Sequence, residues 1–364
     1  MSDTPADLPT PRSNVLAIPA YVPGKPPTAR PGLTSYKLSS NENPFPPLPG
    51  VLEAATAAVA HLNRYPDMGS TDLYAALAAH LDVPTDHLAV ATGSVGLLYQ
   101  LVGAYCDPGD EVVHAWRSFE AYPIALATSG AVGRAVPLLA DGRHDLDAMA
   151  AAIDERTRVV VVCTPNNPTG PAVTQAELDA FLARVPTRVL VVVDEAYVEF
   201  VRSDDPVDGV ATVRAHANVV LTRTFSKAYG LAGLRVGYAV AHPEVAAALR
   251  VVSLPFGVSA VAQAAAVASL AEQEAMVARV DELVARRAHL LAGLREQGWP
   301  VPDAQGNFVW LPFPGDPEAT LAFAAAAEEA GIVVRPFPGD GVRISVGEAE
   351  ACERVLAVAG AFRG

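Results

Sequence analysis

From Leu88 onward the chain alternates between short, valine-rich apolar runs and longer stretches of helical periodicity. The runs Leu88–Ala91, Glu111–His114, Ala131–Val136, Arg158–Cys163 and Val189–Val193 are largely apolar at consecutive positions, which predicts strands buried on both faces. Helical patterns at Val95–Tyr105, Leu146–Ile153 and Gln175–Val185 fall between them. This alternation predicts an α/β architecture, a mostly parallel sheet with helices on both faces. Ligands of such sheets sit at the carboxyl ends of the strands, so the residues that follow each run are the candidates for chemistry.

The flanks read differently. Residues 1 to about 40 carry many prolines and few apolar runs, which predicts an arm rather than a domain; its conspicuous string is Y-V-P-G-K at Tyr21–Lys25. The polar loop K-L-S-S-N-E-N-P-F follows at Lys37–Phe45, and a helix is predicted over Val51–Leu62, ended by N-R-Y-P at Asn63–Pro66. Beyond Arg250, a hinge at Ser253–Ser259 leads to helices at Ala260–Leu270 and Ala275–Gln297, the second with Met276, Val280, Leu283, Ala288, Leu291 and Leu294 near helical spacing. Strands at Asn307–Leu311, Ile332–Arg335 and Val342–Val346, with a helix at Ala319–Ala330, complete a smaller α+β unit. The expected division is an arm over 1–40, a large unit over 41–252 and a small unit over 253–364.

Length and charge narrow the function. At 364 residues the chain holds about two domains at roughly 150 residues each. A formal net charge of −14 argues against nucleic-acid or anionic-membrane partners, so any acidic substrate must be gripped by a few local arginines. Cys106, Cys163 and Cys352 lie far apart, which implies neither a disulfide framework nor a metal site. The N-terminal residues lack the basic and apolar regions of a secretory signal, and the alanine-rich run Gly257–Ala271 is too short and mild to span a bilayer. A cytoplasmic location is expected.

The stretch V-V-L-T-R-T-F-S-K-A-Y-G-L-A-G-L-R-V-G-Y-A-V, Val219–Val240, sets Lys227 in a glycine-rich turn between two apolar runs, Val219–Thr222 and Arg235–Val240. A desolvated lysine becomes a nucleophile that can join an aldehyde as a Schiff base, whereas a lone loop lysine is ordinarily a solvated charge. Thr224 and Ser226 bring hydroxyls to the same turn, and Arg235 offers a phosphate fork. Four further strand ends add to this. T-G-S-V-G after Leu88–Ala91 opens a helix whose amides at Ser94 and Val95 could cradle a phosphate, with Gly93 allowing close approach. In W-R-S-F-E-A-Y-P, Trp116–Pro123, Phe119 either stacks over a ring or packs in the core. T-P-N-N-P-T-G after Arg158–Cys163 is a rigid polar loop. D-E-A-Y puts Asp194 at a strand end, where it either faces a pyridinium nitrogen or caps a helix, with Tyr197 three residues on. A dinucleotide fingerprint needs G-x-G-x-x-G, which T-G-S-V-G does not supply.

The string S-K-A-Y-G-L-A-G-L-R-V-G, with the other strand ends in this order, resembles the lysine segment of fold-type I pyridoxal-phosphate aminotransferases of the histidinol-phosphate aminotransferase-like group, from about Tyr21 to the C-terminus. The resemblance implies pyridoxal 5'-phosphate on Lys227, Asn167 at the cofactor's ring oxygen, and a homodimer with shared active sites in which Tyr65 reaches the other subunit's cofactor phosphate. It also implies that Arg335 and Arg343 hold the substrate's acidic group and that Tyr21 closes over the substrate; either arginine could instead be a surface residue. Lys227 would move the α-proton as base and then acid, in ping-pong fashion. Phe119 and the G-S-V-G cradle look more like the actinobacterial aromatic amino acid aminotransferases, which implies aromatic L-amino acids with 2-oxoglutarate as acceptor. Histidinol phosphate is the competing substrate. A phosphothreonine decarboxylase and a non-catalytic pyridoxal-phosphate binder are the remaining alternatives.

Overall fold

A computed structural model of the chain describes residues 9–18, 24 and 31–363. Its larger sheet has seven strands: β1 (Leu88–Ala91), β2 (Glu111–Trp116), β3 (Val132–Pro137), β4 (Thr157–Cys163), β5 (Leu190–Asp194), β6 (Val219–Thr224) and β7 (Gly237–Val240). Their order is β1-β7-β6-β5-β4-β2-β3. All neighbours are parallel except β7, which is antiparallel to both β1 and β6.

The consecutive apolar residues divide between two cores. Val160, Val162, Val191, Val193, Val219 and Leu221 face one of them, while Val159, Val161, Leu190, Val192 and Val220 face the other. This is the period of two, with helices covering both faces. At roughly 1.5–3 kcal/mol per buried valine or leucine, these strands are firmly anchored. Every candidate strand-end residue therefore hangs from a rigid frame.

A third core begins at Leu290, part-way along the helix Gln273–Glu296, and gathers Trp299, Leu311, Phe323, Ile344 and Val355 with Leu38. It lies against a three-stranded antiparallel sheet of β8 (Phe308–Pro312), β9 (Arg335–Phe337) and β10 (Gly341–Ser345), in the order β9-β10-β8. The helix Ala260–Ala271, expected in the small unit, instead buries Ala262, Ala265, Ala266 and Leu270 in the first core with the large sheet. Residues Tyr36–Lys37, expected in the arm, pair in parallel with Ile332–Val333, and Leu38 joins the third core. That pairing fixes the start of the Lys37–Phe45 loop against the small unit.

Local departures from the expected elements have physical causes. The strand expected from Arg235 starts at Gly237, because Arg235 adopts a left-handed φ of 56°. The strand expected over Ile332–Arg335 is broken at Val334: its first part pairs with Tyr36–Lys37 and its second belongs to β9. The helix from Val51 ends at Val59, and Ala60–Asn63 form turns.

Candidate active site

The loops at the carboxyl ends of β2, β4, β5 and β6, the start of the helix Gly93–Tyr105, the Ser39–Glu42 loop and the β9–β10 hairpin enclose a cleft of about 850 Å³. Lys227 stands in its wall. The turn that carries it is tied down by Phe225, Ala228, Tyr229 and Leu231, all buried in the first core, and by Asn43 Nδ2, which donates to the carbonyls of Lys227 and Ala228 at 3.1 and 3.0 Å. The side chain is left to enter the cleft, where Nζ donates to the carbonyls of Ser40 and Asn41, both at 3.1 Å. Burial, and next the Arg343 cation, pull its pKa down to about 7. Near neutral pH much of this amine is thus uncharged and nucleophilic, as a Schiff-base lysine requires.

An anion cradle lies to one side. Gly93 has φ +80°, and a Cβ there would fall 2.7 Å from Arg235 Nη2. A Cβ on Gly237 would likewise meet the Ser94 nitrogen at 2.7 Å. These two glycines let β7, the helix N-terminus and the Arg235 guanidinium converge. Ser94, Val95, Thr224 and Ser226 line the cleft beside them. Thr224 Oγ1 donates to Ser226 Oγ at 2.9 Å, and Arg235 Nη1 donates to the Ala232 carbonyl at 3.0 Å. Helix amides, two hydroxyls and an arginine fork are the donor set of a phosphate monoester.

The last residue of β5, Asp194, is buried, and no α-helix follows it to be capped. Burial raises its pKa, against a hydrogen bond from Tyr122 Oη to Oδ2 at 2.7 Å and a weaker one from Thr222. A carboxylate whose ionised form is penalised by burial gains most from a cationic partner, and a protonated ring nitrogen would provide one. Tyr197 Oη accepts from Asn41 Nδ2 at 3.0 Å, and the Lys227 amine stands 5.8 Å from the centre of the Tyr197 ring. Phe119 lines the cleft and meets Tyr122 edge-on at 5.7 Å, so it serves both cleft and core. Asn167 Oδ1 accepts from Arg343 Nη1 at 2.6 Å, and Arg343 Nη2 donates to the Ser39 carbonyl at 2.7 Å. Taken together, these donors fit a pyridine ring that bears a phosphate, a phenolic oxygen and an aldehyde.

Lys227, Ser94, Val95, Phe119, Asn167, Asp194, Tyr197, Thr224, Ser226, Arg235, Arg335 and Arg343 all border this one cleft, with Gly93 directly behind Arg235. Tyr65 does not border it. It is 81% exposed and stacks on Phe256 at the surface, with ring centres 4.5 Å apart. Tyr21 lies outside the described residues. Sequence reasoning missed Tyr122, Ala196, Asn41, Glu120 and Phe337. Tyr122 is within reach of sequence reading, three residues past Phe119 in W-R-S-F-E-A-Y-P, whereas Asn41 and Phe337 reach the site only through tertiary packing.

The family model for aminotransferase class I and II matches residues 34–358. The chain belongs to this family. An aromatic amino acid aminotransferase of Streptomyces coelicolor is 57% identical over 363 residues, covering 100% of this chain and 99% of that protein. One of Rhodococcus jostii is 52% identical over 351 residues, covering 96% and 95%. Among solved structures, the histidinol-phosphate aminotransferase of Sinorhizobium meliloti in complex with pyridoxal-5'-phosphate superimposes with a TM-score of 0.84 at 29% identity, over 91% of each chain. The mostly parallel sheet with helices on both faces is thus the aminotransferase fold.

Proposed function

We propose that this aminotransferase uses pyridoxal 5'-phosphate to move the amino group from aromatic L-amino acids to 2-oxoglutarate. The observation that carries the reading is the Lys227 amine, held 3.1 Å from two backbone carbonyls between an anion cradle and the buried Asp194, with a pKa brought to about 7. The names of the relatives at 57% and 52% identity support aromatic substrates.

In this reading Ser94, Val95, Thr224, Ser226 and Arg235 hold the cofactor phosphate, Asp194 faces the ring nitrogen, Tyr197 and Asn167 serve the ring oxygen, and Phe119 covers the ring. The bound cofactor supplies an electron sink for the substrate's α-carbon. Arg343, fixed by Asn167 and the Ser39 carbonyl, orients the substrate carboxylate. Lys227, a large share of which is uncharged near neutral pH, takes the α-proton as base and returns it as acid. The Ser40 and Asn41 carbonyls accept from the ammonium form and so hold the protonated amine at the site. Arg335 borders the substrate beside Arg343.

The active form is a homodimer in the cytoplasm. Tyr65 and Phe256 stack on the surface, and Leu62, Met68, Val251 and Leu254, close to them in sequence, are each at least 65% exposed. Such apolar exposure suits an interface with a second copy, where Tyr65 would reach the partner's cradle. No helix among the described residues is long and apolar enough to cross a membrane.

The structural likeness to a histidinol-phosphate aminotransferase keeps that substrate as the second reading. A half-reaction titration separates the two, following the visible absorbance of the bound cofactor as phenylalanine, tyrosine and histidinol phosphate are added in turn. Bleaching by the aromatic amino acids with a weak response to histidinol phosphate is expected; the reverse order would overturn the proposal.

A further inference from the structure

The two arginines of the small sheet stand on directly paired residues of adjacent strands, Arg335 on β9 opposite Arg343 on β10. Both guanidinium groups lie within 6 Å of the centre of the Phe337 ring, at 5.4 and 5.9 Å, and all three side chains border the cleft. Two adjacent cations on one wall would ordinarily suit a doubly charged anion such as a phosphate monoester, which carries about −1.5 to −2 near neutral pH. Their surroundings differ. Arg343 bonds the neutral oxygens of Asn167 and Ser39, while Arg335 Nη2 donates to Glu120 Oε2 at 2.8 Å. Glu120 comes from the opposite wall, on the turn between β2 and the helix Ala121–Ser129, so the ion pair bridges the large sheet's loops and the small sheet. The Arg335 side chain is only 11% exposed there.

We infer that Glu120 is a specificity-determining residue: by occupying Arg335 as its counter-ion, it leaves the acid pocket suited to a singly charged carboxylate and biased against a phosphate. The inference rests on the aminotransferase reading above. A carboxylate needs one planar fork, which Arg343 supplies. A phosphate that reached for both arginines would have to displace Glu120 or sit beside it, and juxtaposed like charges within a cleft are strongly unfavourable. Removing the carboxylate frees the second cation for the phosphate.

The test compares the holoenzyme with Glu120→Gln and Glu120→Ala, measuring kcat/KM for histidinol phosphate and for phenylalanine. The histidinol phosphate to phenylalanine ratio should rise about tenfold or more in both variants, chiefly through a lower KM for the phosphate substrate. Adding Arg335→Gln to Glu120→Gln should cancel the gain, which a merely structural role for Glu120 would not produce. A ratio that stays within about twofold of the wild type in both single variants, with the wild type active on phenylalanine, would overturn this inference alone. A wild type inert toward both donors would overturn the aminotransferase substrate reading, and this inference with it.

Discussion

Arg235 and Arg335 stand on opposite walls of one cleft and are set in opposite ways. Arg235 belongs to the wall made by the large sheet's strand ends; it bonds a carbonyl and a hydroxyl of its own segment, and two glycines bring a helix N-terminus up to it. Arg335 belongs to the small sheet and is held by a carboxylate from a residue 215 positions away. The first wall is assembled from the strand-end turns of one deeply buried frame, which suits a cofactor that stays in place. The second depends on ion pairs between units, which suits an exchange of substrates. Removing a group from the first wall should therefore cost chemistry, and removing one from the second should redistribute preference.

The largest effect expected is from Lys227→Ala. Transamination should fall by roughly 10⁴-fold or more, since the proton-transfer group itself is lost, while circular dichroism and the thermal transition stay near wild type. Retained turnover would place the base elsewhere. Next comes Asp194→Asn. An amide there cannot stabilise a protonated ring nitrogen, so kcat should drop on the order of 10²-fold with the cofactor still bound. Steady-state rates at saturating cofactor decide this, and wild-type rates would show that Asp194 does not face the ring.

The smaller effects come from the second wall. The Arg343 cation lowers the pKa of Lys227, second only to burial. The uncharged amine is the nucleophile, so cofactor capture by the apoprotein should speed up as pH rises through about 7 and then level off. In Arg343→Gln the neighbouring cation is gone, the lysine holds its proton more tightly, and the midpoint should move to higher pH. Stopped-flow capture rates across pH test this; an unmoved midpoint would leave burial, with the Arg235 and Lys37 cations, as the cause. The Glu120 substitutions belong at this level too, since they should change which acid is preferred more than whether the reaction runs.

How far the fold was legible follows from the same contrast. The central strands were readable because both of their faces are buried, so Val159–Val162 and Leu190–Val193 are apolar without interruption. The lysine turn, the cradle and Asp194 were readable because each immediately follows such a strand. The sequence pattern predicts neither helix Thr71–Leu81 nor helix Ala349–Arg363. Both are alanine-rich and bury few large side chains, Leu73 and Leu77 in one and Val355 in the other, so their apolar stripes are narrow. The pairs that finish the site, Tyr122 with Asp194, Asn41 with Tyr197 and Glu120 with Arg335, join residues 72, 156 and 215 positions apart. No local pattern encodes a pairing of that kind; it exists only once the three cores have brought their loops together.

The most direct test of the central claim, that Lys227 carries the cofactor, is borohydride reduction of the purified holoenzyme followed by proteolysis and mass mapping. The account requires the cofactor's mass on the peptide containing Lys227 and its disappearance in Lys227→Ala. Attachment at another lysine, or no attachment in a fully loaded wild type, would contradict it.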